Sequence, residues 1–290
     1  MGVWVEAARP RTLPAAVAPV LVGTALAVEI DPLRAVLALL VALALQVAVN
    51  FANDYFDGVA GIDTEERTGP RRVVAAGLVE PAAMRRGIAI ALLAALVPGG
   101  VLVVLVGPEL LLVGVAAVLA TLGYSGGSRP YASLGLGEVF VFVFFGLVAT
   151  AGTTYVQDLE LTAASLLAGA GVGALATALL VVNNLRDIPT DEATGKRTLA
   201  VRIGEHATRN VYVGLVLGAL LLLPVLAVVT GAGWALLALL ALPVLAPGLQ
   251  LVRSAPLGPR LVAALEATGR GQLAWAVLLS AGLALDRALS

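Results

Sequence analysis

The sequence predicts an all-α, polytopic membrane protein, and three observations carry that prediction. Of its 290 residues, 60% are hydrophobic and only 13% charged, with a mean hydropathy of +0.98; soluble domains run at about 45–50% and about 25%. Apolar segments approaching the about 20 residues needed to cross a bilayer recur along the whole chain. The basic residues are confined to alternate connections between those segments, as expected when Lys and Arg stay on the cytoplasmic side.

The segments fall at about 13–29, 35–53, 85–106, 109–124, 136–156, 162–183, 207–229, 233–250 and 271–286, nine spans of which the fourth and ninth are short. With the N-terminus in the cytoplasm, every one of the 18 Lys and Arg except Arg34 and Arg287 lies on the cytoplasmic side, which gives an N-in, C-out topology. Arg9 and Arg11 precede the first apolar run, but no small-residue cleavage site follows, so that run reads as a span and not as a signal peptide. A net charge of −1 offers no basic field for nucleic acid, and the absence of cysteine excludes disulfides, thiolate metal sites and Cys nucleophiles. The small residues Ala and Gly suit close helix packing in lipid.

Two polar stretches interrupt this pattern on the cytoplasmic side. The first, Asn50-Phe-Ala-Asn-Asp-Tyr-Phe-Asp57, puts Asn50, Asn53, Asp54 and Asp57 at i, i+3, i+4 and i+7, one face of a helix. The second runs Asn183-Asn-Leu-Arg-Asp187-Ile-Pro-Thr-Asp191 and puts Asn183, Asp187 and Asp191 on one face, provided the helix continues past Pro189. Each closes a span, four spans apart, which suggests a duplicated helix module. Carboxylates at an interface are often only solvated, but Asn50 lies a full turn inside its span, where polar groups usually face a cavity or a partner. Oxygen donors without His or Cys suit Mg²⁺, which keeps waters and shares its coordination with phosphate oxygens. Lys196, Arg197 and Arg202 follow within a turn or two, so anions, cations and a metal would meet where a diphosphate could leave. Gly195-Lys-Arg-Thr198 is no Walker loop, because the first glycine and the strand are missing.

Other polar features read more plainly. Tyr124-Ser-Gly-Gly-Ser-Arg-Pro-Tyr131 is either a helix stop with a tight turn or a lid over the site. His206 is the only histidine and reads as structural. Thr153, Thr154, Tyr155 and Gln157 read as anchors at the outer interface.

Asn53-Asp-Tyr-Phe-Asp57 with Asp63-Thr-Glu-Glu-Arg67, and Asn183-Asn-Leu-Arg-Asp187 with Asp191 and Gly195-Lys-Arg-Thr198, resemble the two Asp-rich motifs of UbiA-type membrane prenyltransferases. Arg9-Pro-Arg-Thr-Leu-Pro14, Tyr124-Ser-Gly-Gly and Gly135-Leu-Gly-Glu-Val-Phe140 resemble the branch that prenylates 1,4-dihydroxy-2-naphthoate on the way to menaquinone. Ser128-Arg129 departs from the Pro and uncharged residue expected there. The resemblance implies one prenyltransferase domain over 1–290, nine helices around a central cavity, and active-site loops at about 54–84 and 184–206. It implies Mg²⁺ held by Asp54, Asp57, Asp187 and Asp191, with Asp63 at the far end of the first motif, and those four aspartates as the catalytic set. Asn50, Asn53, Tyr124, Lys196, Arg71, Arg72, Arg186 and Arg202 would contact substrate or its diphosphate. The substrates implied are a polyprenyl diphosphate and 1,4-dihydroxy-2-naphthoate, the product demethylmenaquinol, the location the cell membrane; no protein partner is indicated.

Two other classes stand beside it. A cation-coupled transporter would place its charges near the midplane on broken helices, whereas these cluster at one face. A CDP-alcohol transferase would carry Asp-Gly-x-x-Ala-Arg, and Asp57-Gly-Val-Ala-Gly-Ile breaks that pattern at the Arg.

Overall fold

The computed structural model describes residues 2–61 and 72–289, and all regular structure among them is helical. A short helix, α1 (Val3–Ala8), lies before α2 (Pro14–Leu26), α3 (Pro32–Val59), α4 (Pro81–Leu105), α5 (Leu110–Gly123), α6 (Gly137–Asp158), α7 (Ala163–Ala193), α8 (Leu199–Thr230), α9 (Gly233–Ser254) and α10 (Leu261–Leu289). Seven of these are long and apolar enough to cross a membrane. The other two apolar helices, α2 and α5, have 13 and 14 residues, about 20 Å of helix at 1.5 Å per residue. They occupy the positions of the first and fourth expected spans. The expected short ninth span is instead the 29-residue α10; Glu266 and Arg270 in its first turns made its apolar run look shorter.

Local chemistry sets the helix ends. Pro14, Pro32 and Pro81 start helices at positions whose N–H would have no intrahelical acceptor. Asp31 caps α3 by accepting from Leu33 N at 2.9 Å, and Thr162 forms a capping box with Ser165 on α7. Inside α8, Gly204 adopts φ +79° and kinks the helix just after its first turn.

Packing makes α7 the axis. Of its membrane window 78% is buried, against about a third for each of the other long helices. It packs against α2, α6, α8 and α10, and Leu175, Val182 and Leu185 join Tyr212, Leu245 and Trp275 in the main core. A second core lies between α1, α3 and α4 around Met84 and Phe51. The α6–α7 crossing is nearly backbone on backbone: a Cβ on Gly146 would collide with Gly173, and one on Gly173 would sit 2.9 Å from the Phe142 carbonyl. A π-helical stretch, Phe142–Val148, carries α6 through that crossing.

The two ends of the bundle are wired differently. At one end Val28 N donates to Asp158, Gln157 bonds Asp31 in both directions, and Arg34 donates to the Val156 carbonyl. Thr154 donates to Gly23 O at 2.9 Å, and Thr153, Thr154 and Gln157 are buried. Thr154 and Gln157 are therefore internal ties between elements, and Thr153, which donates to Ala149 O on its own helix, packs against Gly23; none of the three is the interface anchor expected. At the opposite end lie the N-terminal segment, the described connection 72–80, and the turns at 124–136, 194–198 and 255–260. Arg11 there pairs with Glu266 at 2.7 Å.

Gly173→Val is expected to cost about 1–3 kcal/mol through overpacking of the α6–α7 crossing, read as a lower thermal midpoint in detergent. Gly218→Val on α8, where nothing lies within 4 Å of the added carbon, should leave the midpoint nearly unchanged.

Candidate active site

Helix α3 does not stop where its apolar run stops. It continues through Asn50, Asn53, Asp54 and Asp57 to Val59, and α7 continues through Pro189 to Ala193. Both polar stretches are thus helical faces at the same end of the bundle, and all four aspartates are buried.

The two faces share a pattern. On α3, Arg72 Nη2 donates to Asn53 Oδ1 at 3.0 Å and lies 3.7 Å from Asp57 Oδ2. On α7, Arg186 Nη2 donates to Asn183 Oδ1 at 2.9 Å, and the guanidinium grips Asp187 with both contacts at 2.7 Å. Each motif therefore holds an amide–guanidinium–carboxylate group. The remaining aspartate of each motif fixes the chain that follows. Asp54 accepts from Val73 N at 3.1 Å and Val74 N at 2.9 Å, while Asp191 accepts from the Thr198 hydroxyl at 3.3 Å. Lys196 joins the halves: its Nζ donates to Asp57 Oδ2 at 2.9 Å, and its own N–H donates to the Asp191 carbonyl.

The other expected residues are placed as follows. Asn50 donates to Ala8 O at 2.8 Å and to Thr12 Oγ1 at 3.0 Å, so its amide nitrogen binds the N-terminal segment. Arg202 donates to the Arg197 carbonyl at 2.9 Å and lies against Gly135. Asp63 and Arg71 lie outside the described residues. Tyr124 meets Tyr131 edge-on at 5.4 Å, and Tyr131 stacks on Phe140 at 3.9 Å. The 124–136 segment is a turn bonded back onto α5, with Tyr131 donating to Ala120 O. Burial pushes the Tyr131 hydroxyl up.

Inward of the carboxylates lies a cavity of about 330 Å³ between α2, α3, α5, α6 and α7. Asn53, Asn183 and Tyr124 stand on its wall near the aspartates, and Phe144, Val148 and Leu179 continue it into the bundle. The sequence reading missed several polar residues here. Gln46, one turn before Asn50 on the same α3 face, donates to Thr12 Oγ1 at 3.1 Å, and its position inside an apolar run was the available signal. Glu138 accepts from Asn184 Nδ2 at 2.9 Å and locks the start of α6 to α7. Arg9, whose stretch carried only a resemblance, lines the cavity.

Among the described residues no three His, Cys, Asp or Glu gather into a closed metal cage. The donors are nevertheless all oxygen and come from two facing helices, which fits a hard cation taking one or two carboxylates and completing its shell with water and phosphate.

Asp187→Ala would leave the Arg186 guanidinium buried without this counter-ion, since both side chains are only 2% exposed, at a cost of about 3–5 kcal/mol. The double substitution Arg186→Met with Asp187→Leu should recover most of that loss in thermal unfolding without restoring any catalytic activity the wild-type site has.

Comparison with known proteins agrees with this geometry. The UbiA prenyltransferase family matches residues 16–284. The chain is 43% identical to the 1,4-dihydroxy-2-naphthoate octaprenyltransferase of Mycobacterium tuberculosis, over 98% of this chain and 97% of that protein. It is 37% identical to the enzyme of the same description from Escherichia coli, over 98% and 96% of the two chains. Among solved structures, a UbiA homolog from Aeropyrum pernix superposes with a TM-score of 0.71 at 16% identity, over 99% of both chains. A UbiA homolog from Archaeoglobus fulgidus, bound to DMAPP and Mg²⁺, gives 0.68 at 14%, over 98% of this chain and 100% of that one. With a family match spanning nearly the whole chain, relatives above one-third identity at full length, and a shared fold, this chain belongs to the UbiA prenyltransferase family.

Proposed function

We propose that the protein transfers a polyprenyl group from polyprenyl diphosphate to 1,4-dihydroxy-2-naphthoate, with loss of CO₂ and diphosphate, giving demethylmenaquinol for menaquinone synthesis. The observation that carries this reading is the pair of amide–guanidinium–carboxylate groups at the mouth of an apolar intramembrane cavity, in a chain whose full-length relatives carry that activity in their names.

The chain's own groups divide the work. Asp54 and Asp57 from one side, and Asp187 and Asp191 from the other, would hold a divalent cation, Mg²⁺ in this reading, with Asp63 as a further ligand. That cation supplies charge neutralisation on the diphosphate as its bond to the allylic carbon breaks. Lys196, Arg72 and Arg186 lie on the same carboxylates and can turn to phosphate oxygens; Arg71 and Arg202 are proposed as further diphosphate contacts. The apolar wall holds the prenyl tail and keeps water from the allylic cation, which water would quench to an alcohol. The ring carbon bearing the carboxylate attacks that cation, a prenyl C–C bond forms, and the C–CO₂ bond then breaks, its electron pair restoring the aromatic ring. Positioning and electrostatics account for the acceleration. The transporter reading is disfavoured because the buried charges gather at one end of the bundle and not at its middle.

We place the protein in the cytoplasmic membrane as a single prenyltransferase domain, with the N-terminus and the loops at about 54–84 and 184–206 in the cytoplasm. Among the described Lys and Arg, only Arg34 and Arg287 lie toward the other end.

Purified protein given a polyprenyl diphosphate and 1,4-dihydroxy-2-naphthoate should release CO₂ and prenylated product in equal amounts, and only with Mg²⁺ or a similar cation present. Asp57→Asn and Asp54→Asn should each lower turnover at least about a hundredfold, a loss of about 2.7 kcal/mol or more of transition-state stabilisation. Product formed only from another aromatic acceptor would discard this acceptor and keep the transferase. Since the chain has no cysteine, single cysteines report topology directly. Glu160→Cys should react with an impermeant maleimide in intact cells, and Ser128→Cys only after lysis; the opposite result would reverse the orientation.

A further inference from the structure

A divalent cation entering this site alone meets carboxylates that are already engaged. Asp57 has the Lys196 ammonium at 2.9 Å and the Arg72 guanidinium at 3.7 Å, and Asp187 is gripped by Arg186 at two contacts of 2.7 Å. Asp54 and Asp191 give part of their oxygen to Val73, Val74 and Thr198. Among the described residues no three carboxylates gather closely enough to hold a metal. A divalent ion brought to Asp57 therefore faces two like charges at short range, and the Asp57 side chain is only 3% exposed, so water and salt screen that repulsion poorly.

Of the cations on these carboxylates, Lys196 is the one best placed to let go first. The Arg186 and Arg72 side chains are only 2% and 4% exposed, and each also donates to an asparagine. The Lys196 side chain is 11% exposed and springs from a turn, not from a helix. Gly195 makes that turn at φ +74°. The Lys196 N–H donates to the Asp191 carbonyl at 2.8 Å, and the Thr198 hydroxyl donates to Asp191 Oδ2. The backbone at Lys196 is thus fixed, while its flexible stem ends in a point charge that needs no particular plane of acceptor oxygens. Such an ammonium passes from a carboxylate to a phosphate with one contact broken, whereas a bidentate guanidinium gives up two aligned bonds.

We propose that Lys196 is a gate on the metal: it holds Asp57 against a free divalent cation and yields it to a phosphate-bearing ligand that takes the ammonium in exchange, so that cation and diphosphate are taken up together. The identity of the anion rests on the transferase reading above; the block on free metal requires only Asp57 and Lys196. Lys196 then couples two ligands, and its removal acts on them in opposite directions. The same ammonium opposes the metal and attracts the diphosphate, so without it the metal alone binds more tightly and the diphosphate alone more weakly. A residue that only contacts phosphate would move the second affinity and not the first. A purely structural residue would weaken both.

The test is equilibrium binding in detergent to wild-type, Lys196→Met, Lys196→Arg and Arg197→Met protein, each first shown to unfold at the wild-type temperature. Mn²⁺ is titrated alone and followed by its electron paramagnetic resonance signal; a prenyl thiodiphosphate is titrated separately in EDTA. Lys196→Met should bind Mn²⁺ at least about fivefold more tightly than wild type, and the metal-free thiodiphosphate at least about fivefold more weakly. Lys196→Arg keeps the charge and should hold the wild-type Mn²⁺ affinity within about twofold. Arg197→Met removes the same charge from the next residue, whose side chain is exposed, and should also stay within about twofold for Mn²⁺. Mn²⁺ affinity unchanged or weakened in Lys196→Met overturns the proposal, as does an equal gain in Arg197→Met. So does tighter Mn²⁺ with unchanged thiodiphosphate, because the ammonium would then block without exchanging. If neither wild type nor Lys196→Met binds the thiodiphosphate while Mn²⁺ still tightens in Lys196→Met, the transferase reading falls and the block on free metal stands. Should Lys196→Met unfold early, Lys196→Gln carries the same comparison, because it keeps a donor for Asp57 without the charge.

Discussion

The guanidinium of Arg186 and the carboxylate of Asp187, each 2% exposed, meet at two contacts of 2.7 Å on α7, the helix around which the others pack. Two charges in such a place each lose several kcal/mol of solvation, and only good geometry and further hydrogen bonds recover it. Asn183 supplies one of those bonds to the guanidinium. Much of the site follows from the same constraint. Asp57 has Lys196 and Arg72, and Asp54 has two backbone amides. Charge can be brought this close to the hydrocarbon because every carboxylate has donors.

Those donors also explain why two stretches 130 residues apart act as one site. Within each motif one aspartate faces a cation and the other ties down the connection leaving its helix. The order is reversed: Asp54 ties and Asp57 pairs, whereas Asp187 pairs and Asp191 ties. Lys196 crosses from the second connection to the first motif, so the end of α3 and the turn after α7 are held at a fixed separation. The duplicated module suggested by the spacing is visible here as repeated local chemistry, an amide, a guanidinium and a carboxylate, more than as repeated residues.

Hydrophobic periodicity made the helices legible, and helical spacing made both carboxylate faces legible, including the continuation through Pro189. Three things escaped for physical reasons. The start of α10 was hidden because Glu266 and Arg270 lie in its first turns, where Glu266 is offset by Arg11 from the far end of the chain. Thr154 and Gln157 looked like interface residues because polarity at the end of a span is ambiguous; their partners, Gly23 and Asp31, lie over a hundred residues earlier, and Thr153 beside them is buried against Gly23. The partners of the carboxylates were likewise invisible, since nothing in the spacing of Asp57 points to Lys196, 139 residues away. Residue type told which chemistry could gather at this end of the bundle, while tertiary contacts decided which atom faces which.

The internal ion pairs have a consequence for how a diphosphate could be received. A site of bare aspartates would repel a polyanion, and a site of bare arginines would bind it without leaving room for a metal. Here Lys196, Arg72 and Arg186 each lie against a carboxylate. On the proposed reading, Lys196, Arg72 and Arg186 exchange carboxylate oxygens for phosphate oxygens while the aspartates turn to the metal, so neither sign of charge is left unpaired in a poorly solvated place. Asp57 and Asp187 make that exchange by side-chain rotation, while Asp54 and Asp191 keep their bonds to Val73, Val74 and Thr198 and offer their remaining lone pairs to the metal.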